Sequence, residues 1–260
     1  MATWMRSTVE RIKPAIKRVP GVHRLRCEIA SGLMSARLLA LKERYGDRYH
    51  EAVFTRYWAA NTWGDAESRS GAGANLRQTA FLRDELAGLL EDLSIRRLLD
   101  IPCGDFHWMK AVQWPSGLSY VGGDIVEPMV KRNNDMYGGR NVSFRTIDVL
   151  RDALPEADLV LCRDCLVHFS FADVFTALRN LRQSRVKYLL TTHFAGQRDN
   201  SNIRTGRWQA ISLTARPFGF PPPLRLIDER CTEGNGRYRD KCLGLWRLED
   251  IPDFGREGGR

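Results

Sequence analysis

The chain has 260 residues, of which 43% are hydrophobic and 27% charged, with a formal net charge of +9. That length supports one sizeable core with an appendage, and the composition is that of an ordinary globular protein. No apolar run approaches the ~20 residues that span a bilayer, and residues 1–9 hold no apolar signal-peptide core. Cytoplasmic residence is the resulting expectation.

The charge is uneven. Residues 1–56 hold 12 Lys/Arg against 5 Asp/Glu, which leaves two of the nine net charges for the rest of the chain. A catalytic core that grips nucleic acid carries basic charge on itself, so this distribution argues against a nucleic-acid partner. Met5, Val9, Ile12 and Ile16 lie at helical spacing among Arg6, Arg11, Lys13, Lys17 and Arg18. That pattern predicts a short basic amphipathic helix over 4–18, broken by Pro20-Gly21. Residues 1–20 would then make peripheral contact with the inner face of a membrane. The plainer alternative is an arm in a homo-oligomer or a lid. A second helix is expected over 29–45, with Leu33, Leu38 and Leu41 inward. Residues 1–56 are read as a basic helical extension, 57–250 as the main domain and 251–260 as a tail.

Residues 61–74 are rich in Gly, Ser and Ala and read as a loop, and a helix follows over 75–91. Strands are then expected at 97–101, 119–123, 142–147, 157–162 and 187–192, with intervening helices at 106–112, 126–137 and 171–183. After an irregular insertion over 195–223, strands at 224–231 and 242–248 form a final hairpin. Such alternation implies an α/β fold: a doubly wound, Rossmann-like, mostly parallel sheet of seven strands with an antiparallel last strand. Of the six cysteines, Cys162 and Cys165 have CxxC spacing, and Cys231 with Cys242 would complete a thiolate set. The second pair is too widely spaced for the usual structural zinc site, so no metal is expected.

In doubly wound sheets, ligands bind at the carboxyl ends of the strands. Asp100, Asp124 and Asp148 stand at three successive strand ends. Asp124 lies at the spacing of a ribose-binding acid, whose carboxylate accepts hydrogen bonds from both hydroxyls. Pro102 and Phe106 spoil the GxGxxG turn that a dinucleotide's pyrophosphate requires. Acidic strand ends without a phosphate cradle suit a cationic sulfonium better.

The segment Leu98-Leu99-Asp100-Ile101-Pro102-Cys103-Gly104-Asp105 resembles the first motif of class I S-adenosylmethionine methyltransferases. Val121-Gly122-Gly123-Asp124-Ile125 resembles their second motif, and Asp158 to Phe169 their fourth-strand motif. The resemblance covers about 60–248. Within the superfamily it looks closest to bacterial enzymes encoded with surface-glycan biosynthesis genes. It implies S-adenosylmethionine as cofactor. Asp100, Cys103 and Gly104 would face its methionine part, Asp124 the ribose, Ile125 the adenine ring, and Asp148 beside Val149 the adenine amino group. Arg163 and Asp164 would lie beside the methionine moiety, with Trp63 and Ser70 to Gly73, Gly71 included, closing over it. Phe106 departs from the superfamily, where a glycine is common.

Methyl transfer to a hydroxyl benefits from a general base. His193 and His168 follow strand ends, and His193, opening onto the insertion, is the preferred base, with Asp164 nearby. Each could instead be a structural histidine in a turn. The insertion offers Arg204, Arg207 and Trp208 for a small-molecule or glycan acceptor. The expected activity is O-methylation of a sugar or other small hydroxyl compound. The alternatives are a small-molecule N- or C-methyltransferase and a non-catalytic scaffold of the same fold.

Overall fold

The computed structural model describes residues 20–196 and 199–255. The amphipathic helix expected over 4–18 lies outside the described residues. Two compact units divide between Tyr49 and His50. In the first, α1 (Pro20–Tyr45) takes in the helix expected over 29–45. No helix among the described residues is long and apolar enough to cross a membrane.

The second unit begins at His50, within α2 (Tyr49–Ala59), and then winds around one sheet. Seven strands lie in the order β3-β2-β1-β4-β5-β7-β6. They are β1 (Arg97–Asp100), β2 (Ser119–Asp124), β3 (Val142–Thr146), β4 (Leu159–Cys162), β5 (Tyr188–Phe194), β6 (Arg225–Asp228) and β7 (Lys241–Arg247). The first five strands pair in parallel, and β7 runs antiparallel to both β5 and β6. This is the expected Rossmann-like sheet with its antiparallel last strand. The apolar runs of β4 and β5 are buried at every position, as strands covered on both faces require.

Alternate side chains feed two cores, one per face. Leu99, Val160, Cys162 and Leu189 point to one, and Leu98, Leu159, Leu161 and Leu190 to the other. Helix α5 (Phe171–Gln183) covers the first face with Val174, Ala177, Leu178 and Leu181. Its start is capped by Ser170, whose Oγ accepts the Asp173 N–H at 3.2 Å. Helix α3 (Ala80–Asp92) covers the second face with Leu82, Leu86, Leu89 and Leu90. Each such buried leucine or valine stabilises the fold by roughly 1.5–3 kcal/mol. Helix α4 (Glu127–Tyr137) packs beside β2 and β3 and presents Val130 to the second core. Its Asn134 side chain brackets the edge strand β3, donating to the Phe144 carbonyl at 2.7 Å and accepting the Phe144 N–H at 3.0 Å.

Three expectations change. Residues 75–79 form a turn held by Asn75 rather than the start of α3. Residues 106–112 hold only a short 3-10 turn over Met109–Ala111, because Phe106 adopts φ 59°, outside right-handed helical space. Strand β5 runs on to Phe194, past the end expected at Thr192.

Candidate functional site

Strand order reverses between β1 and β4, where connections leave in opposite directions and open a crevice at the carboxyl ends. A cavity stands there, enclosing about 1110 Å³ including the part open to solvent. Twelve of the site residues expected from the sequence line it: Trp63, Ser70, Asp100, Cys103, Gly104, Asp124, Ile125, Asp148, Val149, Arg163, Asp164 and His168.

The floor is acidic. Asp100, last in β1, is buried and accepts a 2.6 Å hydrogen bond from the Tyr120 hydroxyl. Burial pushes its carboxyl up to about 7, although the Tyr120 bond works the other way. Asp124, last in β2, is also buried and pushed by burial up to about 6, against the amide bonds that lower it. It accepts the Gly104 N–H at 3.1 Å and the Val126 N–H at 3.0 Å. Asp148 follows β3 and accepts the Leu150 N–H at 2.9 Å.

The turn after β1 is shaped by Gly104, at φ 56°. A Cβ there would stand 2.3 Å from Ser70 Oγ, so only glycine lets the loop before α3 close on this turn. Asp105 draws that loop in. Its carboxylate accepts the Ser68 hydroxyl at 2.9 Å, the Arg69 N–H at 2.8 Å and the Ser70 hydroxyl at 3.3 Å. Asn133 of α4 donates to the Gly104 carbonyl at 2.8 Å from the other side. Gly71 lies outside the cavity lining. At φ 97° it lets the Trp63 side chain approach to 3.0 Å from where a Cβ would sit.

Arg163 and Asp164 line the cavity and belong to a set of four charges completed by the buried Glu229 and Lys241. Arg163 donates from Nε and Nη2 to Glu229 Oε2, at 3.1 and 2.5 Å, and from Nη2 to the Gly73 carbonyl at 2.7 Å. Its guanidinium lies 5.3 Å over the Trp108 ring. Lys241 Nζ donates to Asp164 Oδ2 at 2.7 Å and stands 3.6 Å from Glu229. Burial alone would raise the Asp164 carboxyl, but Lys241 and Arg163 hold it well below the usual carboxylate range. Glu229 and Lys241 were not anticipated from the sequence. Among the described residues, no group of three or more His, Cys, Asp or Glu side chains is arranged to hold a metal ion.

The opposite wall comes from α2 and the turn after β4. His50, Phe54 and Trp58 line the cavity with His168 and Phe169. His50 and Phe54 fall within residues assigned from charge to the extension. His168 donates from Nδ1 to the Arg207 carbonyl at 2.8 Å if that nitrogen carries the proton, which leaves Nε2 as a lone-pair acceptor on the cavity side. Burial pushes its ring below the ordinary histidine value, against the Arg207 carbonyl and Asp164, so the imidazole is neutral near pH 7.

His193, the base preferred from sequence, sits elsewhere. Because β5 continues to Phe194, His193 pairs with Cys242 of β7 inside the sheet and is 3% exposed. Its Nδ1 accepts the Leu213 N–H at 3.1 Å, and its ring meets Trp246 edge-on. That seat gives a base no access to the cavity. The insertion is stitched along the turn after β4, with Gly206 N–H on the His168 carbonyl at 2.8 Å and Gln209 N–H on the Val167 carbonyl at 2.9 Å. Arg204, Arg207 and Trp208 do not line the cavity. Arg207 meets it through its carbonyl on His168, and Trp208 packs on Tyr238 at 4.8 Å between ring centroids.

No protein-family model and no curated protein matches the chain. Among solved structures it is similar to LaPhzM, at 13% identity over 64% of this chain and 57% of that one, with a TM-score of 0.43. It is also similar to a putative O-methyltransferase from Nostoc punctiforme, at 21% identity over 45% of this chain and 38% of that one, with a TM-score of 0.38. Human N-acetylserotonin methyltransferase in complex with SAM is similar at 13% identity over 81% of this chain and 69% of that one, with a TM-score of 0.43. The chain thus spans little more than half of the first of these and less than half of the second. Function rests on the site's own residues.

Proposed function

We propose that the protein is an S-adenosylmethionine-dependent methyltransferase acting on a small hydroxyl acceptor. The observation that carries this reading is the acidic floor: Asp100, Asp124 and Asp148 at three successive strand ends, lining one cavity. The residues fit the cofactor. Two carboxyls are buried with no cation paired to either among the described residues, so donors from a ligand would complete them, and the bare Gly104 turn lets a ligand approach the backbone. S-adenosylmethionine supplies, when bound, a methyl group on a positive sulfonium. Asp124 would hold the ribose hydroxyls, Ile125 would pack on the adenine, and Asp148 would accept from its amino group. Asp100 and Gly104 would take the methionine portion, with the ionised Asp164 offering a negative charge nearby.

His168 replaces His193 as the base in this reading. Its Nε2 accepts the acceptor's hydroxyl proton while Nδ1–H stays on the Arg207 carbonyl. The imidazolium that forms is favoured by the Asp164 carboxylate, one of the influences that raise the ring's pKa. The Asp105 latch brings residues 68–70 down on the turn and keeps water from the reacting atoms. The basic start adds charge for contact with an anionic membrane, which liposome binding with and without residues 1–20 tests. For the cofactor, calorimetric titration with S-adenosylhomocysteine is expected to give saturable binding, weakened at least about tenfold by Asp124→Ala. No heat of binding to the intact protein would overturn the proposal.

A further inference from the structure

The wall opposite the acids has a composition that selects an acceptor. His50, Phe54, Trp58, Trp63, His168 and Phe169 all line the cavity. The rings form a connected cluster. Trp63 lies 5.8 Å from His168, Phe54 lies 6.3 Å from both His168 and Phe169, and His50 lies 6.3 Å from Phe169, between centroids. Arg69, also in the lining, donates from Nη1 to the carbonyls of Trp58 and Ala59 and so caps the end of α2. The polar atom this cluster turns to a ligand is His168 Nε2, an acceptor while Nδ1 is held by the Arg207 carbonyl.

From this wall we infer that the acceptor is a phenol: a flat aromatic ring packed among these side chains, with its hydroxyl on His168. The inference rests on the methyltransferase reading and names its substrate class. Three considerations favour a phenol over a saccharide. Aromatic rings pair with one another in edge and offset geometries worth about 0.5–1.5 kcal/mol each beyond the area they bury. A saccharide would bring several hydroxyls against a mainly aromatic wall, and each one left buried and unmatched costs about 1–3 kcal/mol. The base is also matched. A neutral imidazole held below its ordinary value is weak, and a phenol, with a pKa of about 10, gives up its proton far more readily than an aliphatic alcohol, whose hydroxyl is nearer water's value of about 15.7.

The test is calorimetry on the full chain saturated with S-adenosylhomocysteine, titrated in turn with 2-naphthol, catechol and methyl glucopyranoside. The two phenols are expected to bind and the pyranoside to give no saturable heat. Phe54→Leu should weaken 2-naphthol by about tenfold while S-adenosylhomocysteine affinity stays within about twofold, which also shows that the variant is folded. Pyranoside binding as tight as the phenols, or phenol binding indifferent to Phe54→Leu, overturns the inference while leaving the cofactor reading intact. If S-adenosylhomocysteine itself does not bind, the methyltransferase reading fails and this inference falls with it.

Discussion

Phe106 holds its backbone at φ 59°, where the Cβ of an L-residue crowds the following carbonyl at a cost of roughly 1–2 kcal/mol. Its ring is what offsets that cost. It is buried against Trp114, Tyr120, Tyr137 and Phe144, with centroids 5.0 to 5.9 Å away. The departure from glycine noted in the sequence is therefore a trade of backbone ease for aromatic packing. Removing the ring by Phe106→Ala is expected to cost about 3–5 kcal/mol. Phe106→Gly loses the same ring but relieves the backbone, so it should be the more stable of the two by about 1 kcal/mol, opposite to the usual ranking. Urea unfolding of both variants measures this, and an alanine variant more stable than the glycine one would show that the turn carries no such strain.

At the scale of elements, the charges Arg163, Asp164, Glu229 and Lys241 tie the end of β4 to β7 and to the residue after β6. Breaking one member leaves an opposite charge buried and uncompensated, typically at about 3–5 kcal/mol. Glu229→Gln is expected to destabilise by that amount. Pairing it with Lys241→Met removes one charge of each sign, and the double variant should lose less than the sum of the singles by about 1–3 kcal/mol. Strict additivity in denaturant unfolding would mean the two act independently.

The strands and helices that carry these charges were legible from periodicity, because alternation and helical spacing are local signals. So were Asp100, Asp124 and Asp148, since strand ends follow from the strands. The partners of Arg163 and Asp164 were not, because Glu229 lies 66 residues from the first and Lys241 lies 77 from the second, and no local pattern joins them. His50 and Phe54 were hidden for another reason: their basic neighbours drew them into the extension, whereas α2 places them on the cavity. His193 misled because β5 outran its expected end, and a residue beyond a strand faces solvent or ligand while a residue within one faces its neighbours.

Across the whole molecule, the two raised acids set a pH dependence. Asp100 stands at about 7 and Asp124 at about 6, against an ordinary value of 3.8. Between about pH 4 and 7 the unfolded chain has released these protons and the folded chain keeps them. Their contribution to stability is thus fully present below about 4 and is lost as pH rises through about 7. Asp100→Asn carries no such proton and can keep an oxygen for the Tyr120 hydroxyl. Thermal unfolding without ligand should show this variant gaining on the parent chain as pH rises from 5 to about 7, then holding level. A difference that is constant with pH would refute the assignment.

The Asn134 bracket on β3 has a consequence beyond its own helix. A sheet's outer strand offers free N–H and C=O groups on which a strand from another molecule can form. Asn134 occupies both groups of Phe144, midway along β3, with one amide side chain that mimics the missing strand. The outer margin of the sheet is thereby interrupted where an incoming strand would need to continue. Asn134→Leu should leave the cavity untouched yet make the protein prone to β-rich self-association at high concentration, visible by light scattering. One side chain thus governs whether the molecule stays separate from its copies in a crowded solution.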